Sequence, residues 1–362
     1  MAIDSVKSLL AALKQSQVLD PNPLKELDAA AAAHTDPKAF IKDLVQREWL
    51  TPFQANQIYL GNGPELVLGP YILLTRLSED ALGQVFKARH RRMNRLVGLK
   101  IIRGELLAKP EAVERFYQET QHISQLSDPH IVHPYDAGPI GQTHFFAMEF
   151  VEGVDLETLV TQSGALPPHV AADFIGQAAQ GLQHAHERGL VHGDLRPSAL
   201  LVSRPLATNP GAPVGGSSSW RSILAAATTG GGGALVKIGN FGLTFLQSTD
   251  SQTGLAASRI SPDYLAPERC TPNGKGDIRS DLYSLGCIYY FLLTGRVVFP
   301  GGTAVEKMRR HQSEEPVPVN LLRKDAPPEA VAVIAKLMAK RPQQRYQLPQ
   351  EAAQALAAHA KK

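Results

Sequence analysis

The chain has 362 residues, 43% of them apolar, enough to bury a full-sized core in one large domain with a smaller companion. Its 37 basic and 34 acidic residues leave a net charge of +3, too balanced to demand nucleic acid or an anionic membrane as partner. Cys270 and Cys287 lack metal-ligand spacing, which argues against a zinc site or a disulfide framework and fits a reducing compartment.

The opening stretch, MAIDSVKSLLAALKQS, carries Asp4 and Lys7 in its apolar run and is unlike a signal peptide. No run reaches the roughly 18 apolar residues of a membrane helix, so a soluble, cytoplasmic protein is expected. Residues 1–66 read as wholly helical: Asp36-Pro37 and Thr51-Pro52 each join an N-cap side chain to a proline suited to the first helical position. The pattern breaks at Gly61-Asn62-Gly63-Pro64. Short amphipathic helices need something to cover, so this segment is expected to be a small bundle or a lid resting on the β-rich chain after it.

From Leu66 onward short β-rich runs appear: LGPYILLTRL, GQVFKARH, RLVGLKII and THFFAMEF read as strands, interrupted by one helix, EAVERFYQETQHISQL. After Asp155 the chain turns mainly helical, with VAADFIGQAAQGLQHAHERG and SDLYSLGCIYYFLLTG as the strongest helices and two more at the end. Residues 203–234 have no acidic residue and many Gly, Ser, Thr and Pro, and read as a disordered surface insert. Trp220-Arg221-Ser222-Ile223-Leu224 within it is a candidate docking motif. Lys87, Arg89, Arg91, Arg92 and Arg95 crowd one hairpin, readable as a site for an acidic partner or as a solvated face.

Several motifs then occur in a familiar order, and residues 66 to about 355 resemble the bacterial Hanks-type serine/threonine protein kinases. The resemblance implies an α+β, bilobal protein-kinase-like fold preceded by the helical segment 1–66. Residues 67–355 form the kinase-like domain, with a β-rich lobe at 67–150 and an α-rich lobe at 151–355. In HGDLRPSAL, Asp194 matches the catalytic base and Arg196 the nearby cation, while Ala199 stands where the family has a metal-binding asparagine. In GNFGL, Asn240 replaces the aspartate that binds Mg²⁺, and Phe241 and Gly242 follow as expected. Mg²⁺ prefers carboxylate and water oxygens, so both metal positions are degenerate and no metal ligand is assigned.

On the nucleotide side, Gly83 and Val85 survive from the glycine-rich loop, but Ser78 and Asp80 occupy its first two glycine positions. Asp80 brings a Cβ and a negative charge to a place meant for phosphate. Lys100 and Glu119 match the lysine and glutamate whose ion pair aligns the phosphates. Met148, Glu149 and Val151 resemble the gatekeeper and hinge, Asp155 falls at the ribose contact, and Gly98 replaces a small alanine packed on adenine. Glu268, Asp281 and Arg345 match structural residues of the α-rich lobe, and His192 and Phe241 match members of an internal apolar spine. Gly193 stands where many kinases have a phosphate-receiving arginine, so Ser248, Thr249, Ser251, Thr253, Ser258 and Ser261 lack the usual receiving group.

Losses concentrate on phosphate and metal, which points to a probable pseudokinase serving as a scaffold or allosteric partner of other proteins, such as an active kinase or its substrates. No cofactor is certain: ATP without Mg²⁺ is permitted by Lys100, the hinge and Asp155, and opposed by Asp80. The alternative is a weak Mg-ATP-dependent serine/threonine kinase using Asp194 as base.

Overall fold

The computed structural model describes residues 3–204, 219–228, 233–241, 243, 246, 261–271, 274, 276–358 and 360. They form two compact units, residues 1–109 with 134–150, and residues 110–133 with 151–362.

The first unit begins with four helices whose starts the sequence dictates. Ser5 caps α1 (Val6–Ser16), and α2 (Pro21–Ala32) opens on a proline after Asp20. Asp36 caps α3 (Pro37–Gln46), accepting from the Lys38 and Ala39 N–H groups. Thr51 caps α4 (Pro52–Tyr59) in a reciprocal capping box with Gln54. Strands β1 (Val67–Leu68), β2 (Tyr71–Glu79), β3 (Gly83–His90) and β4 (Arg95–Ile102) come next, and after α5 (Pro110–Ile123) come β5 (Pro134–Ile140) and β6 (Thr143–Glu149). The sheet is antiparallel with order β1-β2-β3-β4-β6-β5.

Strand alternation divides this sheet into two chemically different faces. Phe86, Ala88, Val97, Leu99, Phe145 and Ala147 are buried in one apolar core with Leu9, Leu13, Leu27, Phe40, Leu44 and Ile58 of the helices. Their strand neighbours Val85, Gly98, Lys100, Phe146 and Met148 take the opposite face. The helices of residues 1–66 therefore pack on the sheet itself, across the face turned away from Lys100. Polar contacts fix the layer: Thr51 Oγ1 donates to the Leu74 carbonyl at 2.5 Å and Gln54 Nε2 to the Leu73 carbonyl at 2.9 Å. Between Leu73 and Thr75 the β2/β3 register slips, so Leu74 leaves the ladder and its carbonyl takes the Thr51 hydroxyl instead. Arg89 clamps the Asp20 carboxylate with two bonds of 2.9 and 2.8 Å, joining β3 to the start of α2.

The second unit takes in α5, because Ile123 at its end joins the core of the α-rich part. It continues with β7 (Gly153–Asp155), α6 (Leu156–Ser163), α7 (Pro168–His186), β8 (Leu200–Ser203), α8 (Trp220–Thr228) and β9 (Leu235–Ile238). The last helices are α9 (Ile278–Thr294), α10 (Ala304–Ser313), α11 (Val319–Leu322), α12 (Pro328–Leu337) and α13 (Pro349–Ala357). Strands β7, β8 and β9 form a small antiparallel sheet. Helix α9 is buried nearly all round, as its continuous apolar run requires, and Gly295 ends it in a left-handed conformation (φ 68°).

The insert corrects one expectation. Residues 203–234 were expected to be disordered, yet Ser203 lies in β8 and Trp220–Thr228 forms α8, with Ile223 fully buried in the core. Trp220, Ile223, Leu224 and Ala227 fall at i, i+3, i+4 and i+7, one helical stripe, and pack on this core. Composition averaged over the whole insert hides that short stripe. Trp220, read as a docking side chain for another protein, packs on its own chain.

Candidate active site

In the first unit the turn joining β2 to β3 is built around one carboxylate. Asp80 Oδ1 accepts the backbone N–H groups of Leu82 at 2.9 Å and Gly83 at 3.1 Å. Asp80 Oδ2 accepts from Lys100 Nζ at 2.7 Å. The Asp80 N–H closes the turn on the Gly83 carbonyl at 2.9 Å. Gly83 is required here: at φ 155° a Cβ would lie 1.9 Å from the Ile101 carbonyl oxygen. Lys100 is completely buried, so its charge needs a partner. Burial raises the Asp80 carboxyl, but Lys100 and the two backbone N–H groups outweigh it and hold the group below the usual carboxylate range.

The same face carries the residues matched to adenine. Gly98 pairs with Met148 across β4 and β6, and a Cβ on Gly98 would lie 3.3 Å from Met148 Cγ and 3.5 Å from the Glu149 carbonyl oxygen. Val85 pairs with Lys100 across β3 and β4. The basic hairpin is partly spent within the unit. Arg89 holds Asp20, Lys87 stands 4.6 Å over the Phe150 ring, and Arg95 stacks 3.8 Å over Tyr135, to whose hydroxyl it also donates.

In the second unit the segment 192–199 is hung from α9. Asp281, buried near the start of that helix, accepts the His192 N–H on Oδ2 and the Gly193 N–H on Oδ1, both at 2.8 Å. Gly193 sits at φ 78°, a backbone that glycine adopts without cost. His192 Nε2 lies 2.9 Å from the Gly239 carbonyl, and Nδ1 accepts the Asp194 N–H at 3.2 Å. That pattern fits the neutral ring protonated on Nε2. Burial, aided by the charges of Arg196 and Arg269, depresses His192 to about 4. Burial conversely raises Asp281 to about 6, against the pull of the Gly193 and His192 N–H groups. The His192 ring meets Phe241 edge-on, with centroids 4.8 Å apart.

Asp194 thus occupies a backbone fixed on both sides, with the Arg196 Nε 3.8 Å from its Oδ2. Ala199 is buried and its carbonyl receives the Gly239 N–H at 2.8 Å, which aligns the segment with the end of β9. Asn240 adopts a left-handed backbone (φ 60°), which asparagine tolerates better than most residues. Asp155 spends both oxygens on the start of α6, accepting the Thr158 N–H and hydroxyl at 2.8 Å each. Glu119 lies partly exposed on α5 and Val151 just after the unit boundary. Gly242 and the hydroxyls of Ser248, Thr249, Ser251, Thr253 and Ser258 lie outside the described residues.

Glu268 and Arg345 form the other fixed point. Arg345 donates from both terminal nitrogens to the two Glu268 oxygens at 2.8 Å each, and further to the carbonyls of Ala339, Arg279 and Lys340. Ser280 adds a 2.6 Å bond to the same carboxylate.

The family model described as "Protein kinase domain" matches residues 71–359. The chain belongs to the protein kinase family. Serine/threonine-protein kinase PknB of Mycolicibacterium smegmatis is 32% identical over 294 residues, covering 80% of this chain and 42% of that protein. PknB of Mycobacterium tuberculosis is 32% identical over 281 residues, 76% of this chain and 40% of that one. A probable serine/threonine-protein kinase of Clostridium perfringens is 32% identical over 286 residues, 78% and 37%. The chain spans about two fifths of the length of these curated relatives. Among solved structures, the PknI kinase domain of Mycobacterium tuberculosis superposes with a TM-score of 0.57 at 22% identity, covering 81% of this chain and 97% of that one, a likeness of fold. Within the described residues no helix is long and apolar enough to cross a membrane.

Against the protein kinase pattern, the site divides sharply. The supports of the catalytic segment are in place: Asp281 under His192 and Gly193, His192 against Phe241, Arg345 on Glu268. The donor set for Mg²⁺ does not fit. A methyl group at Ala199 and a neutral amide at Asn240 occupy the positions of its two protein ligands. What letter-by-letter reading missed is that the Asp80 carboxylate is paired with Lys100. The signal was present in the register, which sets Val85 beside Lys100 and so brings the β2/β3 turn over the lysine.

Proposed function

We propose that this protein kinase family member is a pseudokinase, a kinase-shaped binding or scaffolding protein with impaired Mg-ATP binding and little or no phosphoryl transfer. The observation that carries this reading is the pair of metal positions, Ala199 and Asn240, neither of which offers a carboxylate to Mg²⁺. Phosphoryl transfer depends on charge neutralisation, and losing such a group costs on the order of a hundred- to a thousandfold in rate. The intact framework around Asp281, His192 and the Glu268–Arg345 pair supports a role that needs shape rather than turnover. Its partners would be proteins, such as an active kinase or that kinase's substrates, in the cytoplasm.

A weak serine/threonine kinase is the second reading, favoured by the fixed backbone on both sides of Asp194. Transfer of the γ-phosphate to a generic basic protein, measured with and without Mg²⁺, separates the two. Transfer that Asp194→Ala abolishes establishes the kinase; no transfer by the wild-type chain, beside an active kinase control, upholds the pseudokinase.

A further inference from the structure

We propose that Asp80 is a resident anion in the phosphate cradle, so that the first unit favours uncharged, phosphate-free nucleoside-type ligands over nucleotides. The inference deepens the pseudokinase reading, on which it rests, by naming the ligand class that this part of the fold still accepts.

Three donors converge on one side chain. The Leu82 and Gly83 N–H groups meet Oδ1 and the buried ammonium of Lys100 meets Oδ2. In a phosphate-binding loop, backbone N–H groups and a lysine are what an incoming phosphate needs. A carboxylate offers the same chemistry, two anionic oxygens with several acceptor sites, on a tether of one methylene. An external phosphate has to displace a covalently attached competitor and then lie beside its freed charge.

The turn is also latched from outside. Arg103 donates to the Glu79 carboxylate at 2.6 Å and reaches the Asp80 carbonyl at 3.4 Å, while Arg76 holds the other Glu79 oxygen. Gly83 cannot relax into another residue's conformational range without striking Ile101, and its carbonyl is tied to the Asp80 N–H. The face that would meet a base is changed in the permissive direction, since Gly98 removes a methyl group beside Met148. Phosphate recognition is thus occupied, whereas the apolar wall of Val85, Gly98 and Met148 carries no such competitor.

The decisive measurement is calorimetric titration of the full chain with adenosine, ADP, ATP without Mg²⁺, and inorganic pyrophosphate, on the wild type and on Asp80→Asn. The amide keeps the size of the side chain and removes its charge. If the open turn is populated at about a tenth or less, wild-type affinity for a phosphate ligand is reduced about tenfold or more. Adenosine should therefore bind the wild type more tightly than ADP or ATP. Asp80→Asn should tighten both nucleotides by about tenfold and make pyrophosphate binding measurable, with adenosine unchanged. A wild type that binds ATP as tightly as adenosine, or an Asp80→Asn variant with no gain for nucleotides, overturns the proposal. Should the variant fail to fold, the wild-type ratio of adenosine to ATP affinity decides alone. γ-Phosphate transfer by the wild type tests the pseudokinase reading separately, because it measures turnover and not this ratio.

Discussion

Arg345 and Glu268, 77 residues apart in the chain, meet in a two-pronged ion pair with both bonds at 2.8 Å, and the arginine side chain is entirely buried. The guanidinium also lies 4.9 Å over the Tyr283 ring and bonds carbonyls on three sides, so a single side chain ties the segment after Ala266 to α9 and to the loop before α13. Arg345→Met leaves the half-buried Glu268 carboxylate without its main partner. The expected loss is about 3 to 5 kcal/mol in urea unfolding. A loss under about 1 kcal/mol would show that the pair is ornamental to the fold.

Acid should weaken the second unit through two buried histidines. His192 and His311 are each depressed from 6.5 to about 4, by burial first; in His311 the nearby Lys340 charge adds to it. His311 is enclosed, with the Tyr283 hydroxyl 2.8 Å from Nδ1 and the Phe299 ring edge-on at 4.9 Å. The unfolded chain takes up both protons below pH 6.5 and the folded one only near 4, so stability is full above pH 6.5 and falls as pH drops. Each ring contributes on the order of 3 kcal/mol across that window. Asp281, raised to about 6, acts in the opposite sense between pH 6 and 3.8 and offsets part of the loss. Melting temperature measured from pH 7 to pH 4 should fall, and His311→Gln should remove about half of the histidine part. A flat profile would contradict the buried, neutral assignment.

Helix α8 offers a local test. Ile223→Ala removes a fully buried side chain from the stripe that docks it, at a cost of about 2 kcal/mol or more. Limited proteolysis should then cut within residues 220–228 faster than in the wild type, while the urea midpoint of the rest of the chain moves little. Equal cleavage rates would mean that the docking of α8 adds nothing.

At the join of helices and sheet, Gln54→Leu strips the Leu73 carbonyl of its buried amide partner and should cost about 1 to 3 kcal/mol. Thr51→Val does the same for Leu74 and also removes the N-cap of α4. Because both residues serve one bulge and one capping box, the double variant should lose less than the sum of the two, as read by a double-mutant cycle. Additive losses would argue that the two contacts act independently.

Legibility in the sequence followed the length of each signal. The caps at Asp36 and Thr51 lie where side chain and proline placed them, and the strands β3, β4 and β6 follow their alternating runs. Strand β5, PYDAGPI, escaped notice because two prolines, a glycine and an aspartate mask its pattern; at the sheet edge such residues break few ladder bonds. The short strands β7, β8 and β9 exist through pairing with one another and leave almost no periodic trace. In the site, lost ligands could be read letter by letter, as at Ala199 and Asn240. The Asp80–Lys100 pair could not, since it depends on a turn and two strand registers acting together.

The helices of residues 1–66 carry a practical consequence. The family match begins at Tyr71, the first residue of β2, and a fragment cut there would strip the cover from Phe86, Val97, Leu99 and Phe145. Such a fragment would present water with a broad greasy sheet and should clump during expression, whatever its catalytic residues. For this chain the smallest soluble piece starts well before the kinase match does.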